Sequence, residues 1–158
     1  MRSAGVWGRR VFVTVLAVLV ALALANVFGQ AMTVSEASSR EATVRVDAPA
    51  AVRGGLLYQV VIRVTARSAL SEPELQLSNG WFSGLTTNAE VPQPSSQSSK
   101  LGGPSFSLGS MQPGDQRTVR IYFQVNPTTV AWHRSVDVEL DDGATEVLTV
   151  HRSMTVYP

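Results

Sequence analysis

The residues best suited to do chemistry in this chain are two histidines, His133 and His151, the serines beside them, Ser135 and Ser153, and a run of alternate carboxylates at Asp137, Glu139 and Asp141. A serine hydrolase needs a base within hydrogen-bond reach of its nucleophile, and here the neighbours are adjacent only in sequence, so ordinary strand histidines are expected. Zinc binding by the histidine pair lacks a third ligand of suitable spacing. Asp137, Glu139 and Asp141 fall on one face of an alternating segment, and Asp142 extends the acidic edge. These oxygens could hold calcium, but without an EF-hand or similar loop spacing a solvated strand face is the favoured reading. Trp81-Phe82, directly after Asn79-Gly80, offers an aromatic contact for sugar or protein, set against a role in filling the core. These two are the candidate binding residues; no catalytic, cofactor or metal residue is assigned. The chain contains no phosphate loop, dinucleotide fingerprint, HExxH helix or GxSxG elbow.

Composition removes further classes. The chain has 158 residues and no cysteine, which excludes disulfides, thiolate metal sites and thiol catalysis. Its 13 basic and 12 acidic residues are unevenly placed. Arg2, Arg9 and Arg10 precede an apolar segment, leaving ten basic residues against twelve acidic ones beyond it. No basic stripe remains to neutralise phosphates, so nucleic acid is not an expected partner.

The apolar segment, residues 11–28, reads VFVTVLAVLVALALANVF without a charge. A spanning helix needs about 20 such residues, because each rises about 1.5 Å through a core of roughly 30 Å. Trp7 and Phe28 flank it as interfacial aromatics. Arg9-Arg10 lies before it and the next basic residue is Arg40, so the charge bias holds the N-terminus in the cytoplasm. The expected organisation is a cytoplasmic n-region (1–10), a transmembrane anchor (11–28), a tether (29–40) and an extracytoplasmic domain (41–158). A cleaved signal peptide is the rival, since Ala23-Leu24-Ala25 fits a small-x-small cleavage site. The apolar stretch runs on past that site, which favours the anchor.

Beyond the tether the period becomes two. Ala42, Val44 and Val46 share one face, as do Leu56, Tyr58, Val60, Ile62 and Val64, and Val119, Ile121, Phe123 and Val125. Weaker strands are expected near 74–77 and 81–86, joined by an Asn79-Gly80 turn, and near 105–108. Residues 91–103 read as a mobile surface loop, and Pro113-Gly114 as the centre of a type II turn. In the last hairpin Val136, Val138 and Leu140 face inward with Leu148, Val150, Met154 and Val156. Even positions pair with even ones if Asp141-Asp142-Gly143 forms a three-residue loop, a register that sets Trp132 against Arg152 and suggests stacking of guanidinium on indole. About seven short strands without an amphipathic helix predict an all-β, antiparallel two-sheet immunoglobulin-like sandwich, with a small barrel as the alternative.

The segment Leu108-Gly109-Ser110-Met111-Gln112-Pro113-Gly114-Asp115, followed by the strand Thr118 to Val125, resembles bacterial extracytoplasmic immunoglobulin-like modules of the CARDB and NEW3 types. With Gly80-Trp81-Phe82, Phe123 to Thr129 and the terminal Thr155-Val156-Tyr157-Pro158, the chain is also similar to uncharacterised single-pass membrane proteins of actinobacteria. The resemblance implies a fold and a compartment and transfers no functional residues. The expected role is a non-enzymatic, membrane-anchored interaction module that needs no cofactor and contacts a protein of the membrane or envelope. A carbohydrate- or cell-wall-binding module using Trp81 and Phe82 is the alternative.

Overall fold

The computed structural model describes residues 2–24 and 30–158. A helix, α1 (Arg2–Leu24), comes first. Its side chains from Val6 to Leu22 are exposed on every face, including Val11, Phe12, Val15 and Leu19. Residues 11 to 24 rise about 21 Å at 1.5 Å each. Among the described residues no helix is long and apolar enough to cross a membrane. The last part of the expected span, 25–28, lies outside the described residues, as does Ala25 of the small-x-small site.

Three sheets built almost wholly from antiparallel strands follow. The first has β1 (Met32–Ser38), β2 (Ala42–Pro49), β4 (Leu57–Ala66), β8 (Gln116–Val125) and β6 (Leu85–Val91), in the order β1-β2-β4-β8-β6. The second runs β11 (Thr145–Val150), β10 (Val138–Asp142), β5 (Pro73–Ser78), β7 (Gly102–Ser107). The third, smaller sheet is β3 (Ala51–Arg53), β12 (Ser153–Tyr157), β9 (Ala131–Ser135), with β3 and β12 parallel. Their apolar faces share one core, including Val44, Val46, Ile62, Phe123, Leu75, Leu140 and Val156. The fold is thus all-β and sandwich-like, with twelve described strands where about seven were expected.

The inward positions follow the alternation. Val119, Ile121, Phe123 and Val125 are all fully buried, and so are Ala42, Val44 and Val46. Leu56 is the exception on its face, exposed in the turn before β4. The type II turn is present: Gly114 has φ +91°, and Asp115 N donates to Gln112 O at 2.9 Å.

Four expectations need correction. Most of the segment expected as a tether, 29–40, is strand: Met32 to Ser38 adds an edge to β2, pairing Met32 with Pro49 and Ser38 with Thr43. A small, polar edge strand draws its order from a neighbour's hydrogen bonds, so its own composition signals little. Asn79-Gly80 makes no hairpin. Asn79–Trp81 is a single 3₁₀ turn that carries the chain from β5 in one sheet to β6 in another. Glycine is needed at 80 because a Cβ there would lie 1.9 Å from Ser135 O.

The loop 91–103 is tied down. Ser95 N donates to Ser105 O at 2.8 Å, and Ser105 N to Ser96 O at 2.9 Å. Finally, the last hairpin keeps its parity by another route. Val138 pairs with Val150 and Leu140 with Leu148, a bulge follows at Leu140/Asp141, and Asp142 pairs with Thr145 across Gly143-Ala144. The resulting offset separates Trp132 from Arg152. Past residue 150 the chain also changes sheets, to β12 against β9.

Candidate functional site

Of the two histidines only His151 meets a carboxylate, Asp137, in an arrangement unlike a hydrolase. His151 Nδ1 lies 3.2 Å from Asp137 Oδ1, and Ser135 Oγ donates to Asp137 Oδ2 at 2.8 Å. The carboxylate therefore stands between serine and imidazole. Nucleophile activation requires the imidazole in that middle place, where it can take the hydroxyl proton. The His151 side chain is 80% exposed, so the site also fails to exclude water. His133 is exposed and belongs to a different feature, described below.

The acidic face of β10 is covered. Glu139 and Asp141 are only 6% and 4% exposed, and Lys100, from the loop before β7, sets its ammonium against both. Gln76 Nε2 on β5 donates to Asp141 Oδ2 at 2.5 Å. Desolvation pushes the Glu139 carboxyl above its ordinary value, partly opposed by Lys100; the hydrogen bond to Glu139 in turn raises the Lys100 ammonium. Asp142 has a separate task, accepting from Glu72 N at 2.7 Å and Ser71 N at 3.2 Å, which holds its carboxyl low. The four acids thus divide among three separate sets of partners, and among the described residues no group of three metal-ligating side chains converges. The expected solvated face is corrected for Glu139 and Asp141: a lysine distant in sequence closes over them.

Trp81 is fully buried, and its Nε1 donates to Asp137 O at 3.1 Å. No face of the indole is open to a ligand. Phe82 is half-buried, its ring edge-on to Phe123 with centroids 5.4 Å apart. Both fill the core. An open apolar hollow lies instead on the first sheet, lined by Leu57, Tyr58, Asn88, Ala89, Tyr122 and Phe123.

Arg152 and Trp132 take up roles that the alternation only hinted at. Arg152 is 9% exposed and donates to Ser35 Oγ at 3.1 Å, Thr33 O at 3.2 Å, Thr33 Oγ1 and Ala48 O. All these acceptors are neutral, and burial pushes the guanidinium below its ordinary value. The arginine pins β1 and β2 to the third sheet. Its signal in the sequence was a charge on an apolar face. Trp132 is 65% exposed and packs edge-to-face on Tyr157, with centroids 5.4 Å apart.

No family model matches the chain, and no curated protein does. Among solved structures it is similar to that of AvmM, described as catalysing macrocyclization in alchivemycin A biosynthesis, at 9% identity and a TM-score of 0.49. The match covers 82% of this chain and 90% of that one. Likeness at that level carries no argument about this chain's chemistry.

Proposed function

We propose that this chain is a membrane-anchored, extracytoplasmic interaction module without catalytic activity, accessory to another protein of the membrane or envelope. The observation that carries the reading is α1. Its side chains from Val11 to Leu22 are apolar apart from Thr14 and are exposed all round. A helix that is apolar on every face requires a lipid or protein environment. Together with the following residues it gives the 18-residue uncharged stretch 11–28, and Arg9-Arg10 sets its cytoplasmic end. The domain beyond is an immunoglobulin-like sandwich of the CARDB and NEW3 kind in this reading, supported by antiparallel sheets around one core and by the Pro113-Gly114 turn leading into β8.

The test is alkaline extraction of membranes carrying the full chain or its Leu16→Arg, Leu19→Arg variant. Two arginines mid-helix cost about 5–7 kcal/mol of insertion free energy at roughly 2.5–3.5 each. The parent chain should stay in the pellet and the variant should leave it. Release of both would refute the anchor. In-cell crosslinking of the parent to one reproducible neighbour supports the accessory role, and its absence counts against that role.

A further inference from the structure

We propose that the end of the β-domain nearest α1 rests on the bilayer surface, with Leu56, Leu57, Val130 and Trp132 in the headgroup region; this rests on the anchor reading above. Strand register identifies that end. β1 begins at Met32, opposite Pro49 at the end of β2. Leu57 at the start of β4 pairs with Gln124, and Leu85 with Val125. Gly55 N donates to Val125 O at 2.8 Å and Gly54 N to Tyr157 O at 3.0 Å, which joins the third sheet to the same end. Val156 pairs with Ala131 there.

Eight large apolar side chains outside α1 are exposed among the described residues, and five of them, Met32, Leu56, Leu57, Val130 and Trp132, sit at this end. The backbone helps to present one of them. β9 carries an extra residue between Ala131 and Arg134, opposite the step from Met154 to Val156, and His133 takes φ +50° within it. A non-glycine residue in the left-handed region costs of order 1–3 kcal/mol and persists where its surroundings impose it. Here the bulge holds Trp132 outward against Tyr157.

Charge is divided along the same axis. Segments 30–33, 48–58, 84–88, 122–133 and 155–158 contain no aspartate or glutamate, and Arg53 is their one basic residue apart from His133. The opposite end carries charges of both signs, Glu41, Glu72, Asp115, Asp142 and Glu146 with Arg40, Arg67 and Arg117. Its turns are joined by Arg67 N to Glu41 O at 2.7 Å, Gly114 N to Ala66 O at 2.8 Å and Gly143 N to Glu72 O at 3.2 Å. A surface lying on anionic lipid should lack carboxylates and carry amphipathic aromatics, as this one does.

The length of the connection selects lipid as the occupant. In the anchor reading the span ends at Phe28, and Phe28 and Met32 are four residues apart, a separation of at most about 14 Å fully extended. With α1 inserted, the apolar end cannot leave the vicinity of the interface, whereas a soluble partner would have to enter that gap.

The absence of native cysteine permits a direct test. Single cysteines at Val15, Leu57, Val130 and Gln112 in the full chain are labelled with an environment-sensitive fluorophore, and the protein is reconstituted into phosphatidylethanolamine–phosphatidylglycerol vesicles. Lipids with nitroxide on the headgroup or acyl chain then report depth. Acyl quenching at Val15 with headgroup quenching at Leu57 and Val130 several-fold above that at Gln112 is the expected result. Quenching at Val15 while Leu57 and Val130 match Gln112 overturns the docking and leaves the anchor standing. An unquenched Val15 overturns both.

Discussion

The guanidinium of Arg152 donates to Ser35 Oγ across 3.1 Å, linking the residue before β12 to the edge strand that follows α1. Among the described residues this buried cation has no carboxylate in hydrogen-bond contact; it is held by hydroxyl and carbonyl oxygens of β1 and β2. Removing it strands those acceptors. Arg152→Ala should cost about 2–4 kcal/mol, since hydrogen bonds to charged groups are worth roughly 1.5–3 kcal/mol and packing is lost as well. Denaturant titration measures the loss. Hydrogen exchange should show β1 amides opening before those of β4.

Trp81→Ala should destabilise the domain by about 3–5 kcal/mol, the usual range for removing a fully buried large aromatic. Trp81→Phe should cost less, retaining part of the ring volume and leaving Asp137 O with the Ser78 amide, 3.0 Å away, as its remaining donor. Neither substitution should change retention on peptidoglycan by folded protein. A pull-down in which Trp81→Phe folds and loses retention would restore the carbohydrate reading.

Two carboxylates predict pH effects of opposite sign. Glu139 has its folded pKa raised by burial, so its contribution is fully present below the ordinary value near 4.5 and falls away as pH rises through the folded value. Asp142 has its folded pKa lowered by the Glu72 and Ser71 amides, so it stabilises above the ordinary value near 3.8 and loses that effect as pH falls through the folded one. Glu139→Gln should therefore gain on the parent as pH rises from 4 toward 7. Asp142→Asn should be weaker than the parent at pH 7 and approach it toward pH 2. Thermal unfolding across that range distinguishes the two slopes.

Ser135 should behave as an ordinary hydroxyl, because its partner is the Asp137 carboxylate and the imidazole lies on the far side. A fluorophosphonate should leave it unlabelled, and Ser135→Ala should leave ester hydrolysis at background. Stoichiometric labelling at Ser135 would contradict the non-catalytic reading.

Alternation made β2, β4 and β8 legible, since each has one face on the core and the other toward water. What escaped depends on neighbours distant in sequence. β1 is ordered by β2, to which it contributes a row of small side chains. Gly80 is set by the Ser135 carbonyl, 55 residues away in sequence, so Asn79-Gly80 carried a turn signal without the expected turn. The acidic face looked solvated because Lys100 approaches it from a segment without periodicity. Parity in the last hairpin was readable, but the turn falls at Gly143-Ala144, a bulge at Leu140 restores even-with-even pairing, and the offset leaves Arg152 bonded to β1 instead of facing Trp132.

The most direct measurement of the central claim is thiol accessibility in whole cells, using single cysteines at Ser3 and Gln112 in a chain that otherwise has none. A membrane-impermeant maleimide should label Gln112→Cys in intact cells and Ser3→Cys only after lysis, with both proteins in the alkaline-washed membrane pellet. Labelling of Gln112→Cys only after lysis, or recovery of the full-length chain in the soluble fraction, would contradict an anchored extracytoplasmic domain.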